Sequence, residues 1–412
     1  MNHDLEELTT HCIRCGFCLE SCPTFVQTGN EMESPRGRIY LVRSAIGGKL
    51  NWQEDVKPHL DLCLGCRACE TACPSAVQYG MILEIARDKI EKEKPQRAKD
   101  ALLAGTTNPT ILKTQLALGR LLPGKRVPGL ISHLLSGHAA EADRPTPQQE
   151  AHFPFLDDKD LPAIKGEVYL LEGCAMKVLY PRVHQVTRRL LRRVGFVVKD
   201  VSQGCCGALH AHYGNLTEAR KLGERLIKSM PDNLPVIVNS AGCGSTIKEY
   251  GHLMDGQSSA EAFAKRTFDV SEFLLANGLI EALQSAKGLN QTATYHDACH
   301  LAHGQKIVSQ PRELISAIPN LKLVPLNEAD MCCGSAGIYN VTQPEMARKL
   351  LERKYDNIAQ TGASIVATGN PGCHSWIAQA AREHGKKIQV LHTLELLEAA
   401  FVGLELFEEK PI

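Results

Sequence analysis

Sixteen cysteines are the residues best able to do chemistry in this 412-residue chain, and they fall into four sets of four with none left over. Cys12, Cys15, Cys18 and Cys22 precede Pro23, and Cys63, Cys66, Cys69 and Cys73 precede Pro74, so one C-x2-C-x2-C-x3-C-P run occurs twice. Cys174, Cys205, Cys206 and Cys243 recur as Cys299, Cys332, Cys333 and Cys373, at offsets of 125, 127, 127 and 130 residues. Thiolates are soft donors that suit zinc, copper(I) and iron–sulfur clusters. The polar, acidic start from Met1 to Glu7 has neither the basic nor the apolar region of a secretory signal. The chain is therefore expected in the cytoplasm, where thiols stay reduced and disulfides are rare.

The first two sets have the spacing of bacterial two-cluster ferredoxins. Three thiolates at steps of three wrap a tight loop around one face of an iron–sulfide cube. The fourth, one helical step further and ended by proline, points to the other cube. The spacing predicts one [4Fe–4S] cluster on Cys12, Cys15, Cys18 and Cys73 and a second on Cys63, Cys66, Cys69 and Cys22. Small residues between the ligands (Gly16, Gly65, Ala68, Ala72) leave room for backbone N–H groups to reach the sulfurs. A zinc site closes with four ligands, commonly as two separated pairs, and does not account for three evenly spaced cysteines plus a fourth, twice. Between the runs, Ser34-Pro35-Arg36-Gly37-Arg38-Ile39-Tyr40 reads as a turn and a helix. Arg36 and Arg38 are expected to be solvated turn residues, with a docking surface as the alternative.

The elements that must position the other eight cysteines repeat with them. Each copy reads as a strand (Glu167–Leu171; Ala293–His296) into the first cysteine and a second strand (Phe196–Asp200; Leu321–Leu326) toward Cys-Cys-Gly. A helix follows, and a third strand (Val236–Asn239; Ser364–Thr368) leads to Gly-x-Cys. In the first copy Ala219, Leu222, Leu226 and Met230 form an apolar helical stripe behind a capping box at Asn215 and Glu218. Short strands alternating with helices indicate α/β units, whose functional groups gather at the carboxyl ends of strands, so the cysteines are expected to converge. Gly207, Gly242, Gly334 and Gly372 fit a backbone passing close to something bulky. The fold class is an α+β multidomain chain. A helical, ferredoxin-like two-cluster domain (1–95) and a helical linker (96–160) precede duplicated α/β cysteine-rich domains (161–285 and 286–412).

Composition excludes other classes. Forty-six basic and 46 acidic residues balance, which removes the electrostatic case for nucleic acid. No apolar run reaches the length of a membrane-spanning helix. In the linker, Ile111–Leu122 and Val127–Leu135, near Lys113, Arg120, Lys125 and Arg126, are expected to bury against the protein's own domains rather than a membrane surface. No Gly-x-Gly-x-x-Gly opens a βαβ unit; Gly242-Cys243-Gly244-Ser245-Thr246-Ile247 begins like one and lacks the third glycine.

Across nearly its whole length the chain resembles the iron–sulfur subunit of bacterial glycolate oxidase (glycolate dehydrogenase). The resemblance rests on Cys12-Ile13-Arg14-Cys15-Gly16-Phe17-Cys18 with Pro35-Arg36-Gly37-Arg38, on Leu171-Glu172-Gly173-Cys174, and on Gly204-Cys205-Cys206-Gly207 and Cys332-Cys333-Gly334-Ser335-Ala336-Gly337. Related architecture occurs in the C subunit of anaerobic glycerol-3-phosphate dehydrogenase, lactate-utilisation proteins and heterodisulfide reductases. The last of these end each cysteine-rich domain with Cys-x-x-Cys and hold a non-cubane cluster on five cysteines. Here Thr246 and Trp376 stand at the fifth positions, so one or two conventional clusters are expected on Cys174, Cys205, Cys206, Cys243, Cys299, Cys332, Cys333 and Cys373. His210, His212, His296, His300 and His303 are candidate extra ligands, with a structural role the more frequent one for any single histidine.

The resemblance implies an electron carrier in a complex that oxidises glycolate, and D-lactate as a related acid, to the 2-oxo acid. Hydride chemistry needs an organic acceptor such as a flavin, so FAD is expected on two flavoprotein partner subunits only. Electrons would pass through the clusters to a quinone or another acceptor, the chain resting peripherally on the inner face of the cell membrane. An electron carrier like the C subunit of anaerobic glycerol-3-phosphate dehydrogenase or of a lactate dehydrogenase, a disulfide-reducing cysteine-rich half as in heterodisulfide reductases, and a zinc-binding assembly subunit are the other readings.

Overall fold

The cysteine-rich half is built from eight short parallel strands in two sheets. In the computed structural model, which describes residues 5–114, 153–385 and 387–407, β1 (Gly166–Leu171), β2 (Phe196–Val198), β3 (Val236–Val238) and β4 (Thr267–Asp269) form a parallel sheet of order β2-β1-β3-β4. The second sheet repeats it as β6-β5-β7-β8, with β5 (Thr292–Tyr295), β6 (Lys322–Val324), β7 (Ile365–Thr368) and β8 (Gln389–His392). Sequence reading finds six of these strands and misses β4 and β8. Each missed strand ends on the cap of the next helix, Asp269 with Glu272 and His392 with Glu395, and both form reciprocal capping boxes. That Asp/His-x-x-Glu spacing is the overlooked signal. At Asn215 only half of the expected box forms: its side chain accepts from the Glu218 N–H at 3.1 Å.

The two sheets share one core because their helices cross over. The helix after β1 (Pro181–Arg193) packs on the helix after β8 (Thr393–Val402), and the helix after β4 (Val270–Ala276) packs on one after β5 (Ser309–Ser316). Val168, Leu190, Ile237 and Leu274 of the first repeat join Leu314, Ile365, Leu391 and Leu397 of the second in one apolar cluster. Burying such side chains stabilises by about 1.5–3 kcal/mol each before entropy is counted.

In the amino-terminal unit, the Pro35–Ile46 helix starts at Ser34, whose hydroxyl accepts from the Gly37 N–H at 3.0 Å, with Pro35 in the first turn. It and the Tyr79–Glu93 helix bury Ile39, Val42, Ile82, Leu83 and Ala86 around the cysteine loops. The Arg97–Thr107 helix continues onto the cysteine-rich half, where Leu102 and Leu103 pack against Leu209, Tyr213 and Ile338. Leu112, from the expected run Ile111–Leu122, is also buried. Ile111 of that run is exposed, against the expected burial, as are Lys113 and Thr114, because only one face of this last helical turn meets the protein. Residues 115–122 with Arg120, and Val127–Leu135, Lys125 and Arg126, lie outside the described residues.

Candidate functional site: four thiol sets in one line

Both ferredoxin-type runs bend at the same two points, on either side of the second cysteine. Arg14 (φ 60°) and Gly16 (φ 90°) take left-handed backbone in the first run, and Gly65 (φ 64°) and Arg67 (φ 65°) in the second. Left-handed arginine is unfavourable by about 1–2 kcal/mol, and in each run the two bends turn the thiols inward. Cys12, Cys15, Cys18 and Cys73 line a cavity of about 30 Å³, together with Cys69, Arg36 and Tyr79. Cys66 and Cys69 lie within electrostatic reach of Cys63 and Cys22 instead. The first group is open, with Cys15 exposed and Cys12, Cys18 and Cys73 partly so; Cys22, Cys63, Cys66 and Cys69 are buried.

Burial sets the protonation of these thiols. It pushes Cys18 up to about 11 and raises Cys66 and Cys69 well above the usual thiol range, so a metal binding there displaces protons. At Cys63 burial is overcome by the guanidinium groups of Arg38 and Arg87 and by the Tyr79 hydroxyl, which donates to its sulfur at 3.5 Å, and the thiol lies below its ordinary value. Gly65 N–H also donates to Cys63 Sγ, at 3.4 Å.

Arg38 departs from expectation. It is neither solvated nor a docking residue: at 1% exposure it bonds Glu33 at 2.8 Å, Thr24 at 3.1 Å and the His59 carbonyl at 2.7 Å, with Cys22 Sγ at 3.9 Å. The Pro35–Ile46 helix turns it under the sulfurs, where a fixed positive charge offsets thiolate charge. Arg36 stays half-exposed and bonds Glu31 at 2.6 Å. Arg87 was not singled out from the sequence, although it interrupts the apolar stripe Ile82, Leu83, Ala86, Ile90. Its guanidinium donates to the carbonyls of Leu60 (2.6 Å), Cys63 (2.7 Å) and His212 (2.5 Å).

The eight remaining cysteines converge. In the first repeat the thiols contact one another in the order Cys174, Cys205, Cys206, Cys243, and in the second Cys299, Cys332, Cys333, Cys373. All eight line one cavity of about 410 Å³ between the repeats. Gly207 (φ 84°) and Gly334 (φ 90°) make the same close approach: a Cβ would sit 2.7 Å from the Ala219 carbonyl oxygen and 2.6 Å from that of Ala347. No side chain fits there. N–H donors reach the sulfurs, from Gly207 to Cys205 at 3.4 Å and from the Asn370 amide to Cys373 at 3.7 Å. Thiol sets with N–H groups aimed at sulfur fit iron–sulfur clusters. Thr246 and Trp376 are buried, and Thr246 Oγ1 and Trp376 Nε1 have no hydrogen-bond partner.

The five histidines divide. His210 meets Thr107 at 3.2 Å, His212 meets Glu84 at 2.7 Å, and His303 meets Thr71 at 3.0 Å. His300 Nε2 donates to the Gly65 carbonyl at 3.1 Å. Of the five, His296 alone forms a group with two sulfurs: a ring nitrogen and the sulfurs of Cys333 and Cys373 lie within 4.8 Å of one another, while His210 lies within charge reach of Cys205 alone.

The buried ferredoxin-type group abuts the second repeat. Cys66 feels the charge of Cys299, and Cys332 that of Cys66. The bond from His300 links the residue after Cys299 to the residue before Cys66, and the Tyr339 hydroxyl donates to the Leu62 carbonyl at 2.8 Å. The thiol sets thus stand in the order outer group, inner group, second repeat, first repeat; the inner group is the most completely buried, since Cys299 and Cys243 of the repeats are half-buried.

Known proteins resemble this chain in sequence. Residues 9–77 match the 4Fe–4S dicluster domain family, and residues 168–248 and 293–378 each match the cysteine-rich domain family. The chain is 34% identical to the "Probable glycolate oxidase iron-sulfur subunit" of Bacillus subtilis (strain 168), over 95% of this chain and 94% of that one. It is 31% identical to the glycolate oxidase iron–sulfur subunit of Escherichia coli (strain K12), over 96% and 95%. Lactate utilization protein A of Oceanobacillus iheyensis is 28% identical over 56% of this chain and 96% of its own length. Among the described residues no helix is long and apolar enough to cross a membrane. Full-length similarity and the four sets of thiols agree: the chain belongs to the glycolate oxidase iron–sulfur subunit family and is an electron-transfer component of an oxidoreductase complex, carrying several iron–sulfur clusters.

Proposed function

We propose that this chain carries electrons for a complex that oxidises glycolate, and D-lactate as a related 2-hydroxy acid, with the substrate bound on partner chains. Its working units are 1–95, 96–160, 161–285 and 286–412. Cys12, Cys15, Cys18 and Cys73 hold an outer [4Fe–4S] cluster, Cys22, Cys63, Cys66 and Cys69 an inner one, and the cysteine-rich repeats one or two more. Such clusters, when bound, exchange one electron at a time with little rearrangement. The chain's own residues set the conditions: Arg38 and Arg87 hold positive charge beside the inner thiols, Tyr79 and Gly65 donate to sulfur, and burial excludes water.

The observation that carries this reading is the contrast between the open outer group of thiols and the buried inner one that abuts the second repeat. Around exposed Cys15 stand Ile13 (68% exposed), Phe17 (70%) and Tyr40 (55%), apolar side chains that a partner would cover. We assign this face to one of two FAD-carrying partner subunits, since hydride removal needs a flavin. The far end serves a quinone or another acceptor, with the chain on the cytoplasmic side and peripheral to the membrane.

The test is anaerobic mixing of iron-loaded protein with its co-expressed flavoproteins and glycolate. Glycolate should bleach the visible absorption as dithionite does. Ile13→Asp with Phe17→Asp should slow that bleaching about tenfold or more and leave the dithionite reaction unchanged. Bleaching by dithionite alone would overturn the route. Bleaching by glycerol 3-phosphate in place of glycolate would overturn the substrate, and zinc in place of iron the whole reading.

A further inference from the structure

The two repeats align residue by residue, and the alignment exposes one substitution at the metal-facing end of a central strand. Leu170 pairs with Ile237 in the first sheet and Tyr295 with Ala367 in the second. The next residue is therefore Leu171 in one copy and His296 in the other, in agreement with the 125-residue offset of Cys174 and Cys299. Leu171 is an ordinary apolar side chain at that cavity wall. His296 is fully buried, and neither ring nitrogen has a hydrogen-bond partner of normal geometry. A buried imidazole left so is unfavourable by about 1–3 kcal/mol unless another ligand satisfies it.

We infer that the second repeat holds its cluster with a mixed donor set, in which a ring nitrogen of His296 joins the sulfurs of Cys333 and Cys373, whereas the first repeat uses thiolates alone. This rests on the reading that the repeats bind iron–sulfur clusters. The neutral imidazole gives a lone pair to iron and releases no proton, whereas each thiol loses one. The Ala329 carbonyl near the ring favours an N–H on one nitrogen and leaves the other free to ligate. Replacing thiolate by imidazole removes negative charge from a cluster and raises its potential.

A second difference acts in the same direction. Ala219 and Ala347 hold the same place against Gly207 and Gly334, so the following helices align at an offset of 128, and buried Leu226 corresponds to buried Lys354. Lys354 donates to the carbonyls of Glu328 and Ala329, close to Cys332 and Cys333. The second repeat is thus the more electron-attracting of the two, and it is the one the inner group touches.

The test uses the full chain, purified without oxygen after growth on 15N-labelled histidine. Electron–nuclear double resonance of the reduced protein should show nitrogen coupling that His296→Leu abolishes, with the signals of the amino-terminal clusters unchanged. His296→Cys should keep its iron and lower one midpoint potential. It serves as the second variant should His296→Leu fail to fold. Coupling that survives His296→Leu, or none in iron-loaded wild type, would overturn the assignment of His296 and leave the electron-carrier reading standing. Equal iron in wild type and in Cys332→Ser with Cys333→Ser would show that the second repeat holds no cluster, and both readings of the repeats would fall.

Discussion

The two cysteine-rich repeats share strand order, thiol order and the glycine wedged against the following helix, and they differ in what faces their sulfurs and each other. The first presents Leu171 and Leu226 where the second presents His296 and Lys354. Their seam is sorted by charge. Arg182, Arg189 and Arg193 come from the first repeat, and Glu395 and Glu398 from the second, paired at 2.6–3.0 Å. A duplicated unit with a self-complementary seam would also pair with another copy of itself. Sorting the charges favours joining unlike repeats, because a pair of first repeats would set the arginine helix against Val270–Ala276, where Leu275 stands at the position of Glu398. The duplication supplied a frame, and divergence at a few buried positions supplied direction.

Glu398→Ala tests the charge sorting most severely. Glu398 is fully buried, and the substitution leaves Arg189 and Arg193, themselves mostly buried, without their carboxylate. Removing one partner of a buried pair costs about 3–5 kcal/mol, which should appear as a lower urea midpoint for the full chain. A loss below about 1 kcal/mol would mean that the shared apolar core alone specifies the seam.

Much of this organisation was legible in the sequence. Cysteine spacing gave the four sets, and the common offset gave the duplication, because ligand chemistry and duplication both leave periodic marks. β4 and β8 escape the sequence reading because they lead straight into a helix cap, whereas every strand that it finds leads toward a cysteine. Arg38 was misread because an arginine beside Pro-x-Gly has the composition of an exposed turn, and only the packing of the Pro35–Ile46 helix turns it inward. His296 could be named among five candidates but not chosen, since the choice depends on which rings find hydrogen bonds elsewhere. That information is three-dimensional.

Acid probes the same seam with a smaller effect. His184 of the first repeat and His392 of the second flank Asn239. Its amide donates to His184 Nδ1 at 3.1 Å, and its carbonyl accepts from His392 Nε2 at 3.0 Å. Burial lowers both rings to about 4, whereas a histidine in an unfolded chain titrates near 6.5. The unfolded state therefore takes up protons first, so stability is full above about pH 6.5 and drains as pH falls toward 4. Each ring contributes a loss of about 2 kcal/mol at pH 5. Asp269, pushed up to about 6 by burial, works in the opposite direction over the same range. These three groups alone give a net loss of about 2–3 kcal/mol between pH 7 and pH 5. His296, His300 and His303, also lowered by burial, add to it, and Glu249, raised by burial, subtracts. Urea midpoints at the two values read the sum. His392→Gln should flatten the profile, and an unchanged slope would remove this ring from the seam's proton balance.

The smallest effect separates holding the repeats together from holding the electron path together. Tyr339 in the second repeat donates to the Leu62 carbonyl, one residue before Cys63, whereas Tyr213 in the first repeat donates to the Ala336 carbonyl of the second at 2.7 Å. Phenylalanine at either position removes one hydroxyl and strands one carbonyl, so both variants should lose about 1 kcal/mol. Only Tyr339→Phe loosens the tie between the inner thiols and the second repeat. After rapid reduction of the outer cluster, transfer into the repeats should therefore slow in Tyr339→Phe and keep its wild-type rate in Tyr213→Phe. Equal slowing in both would mean that electrons cross the repeat–repeat seam before reaching the second repeat, and the order of the line would be reversed.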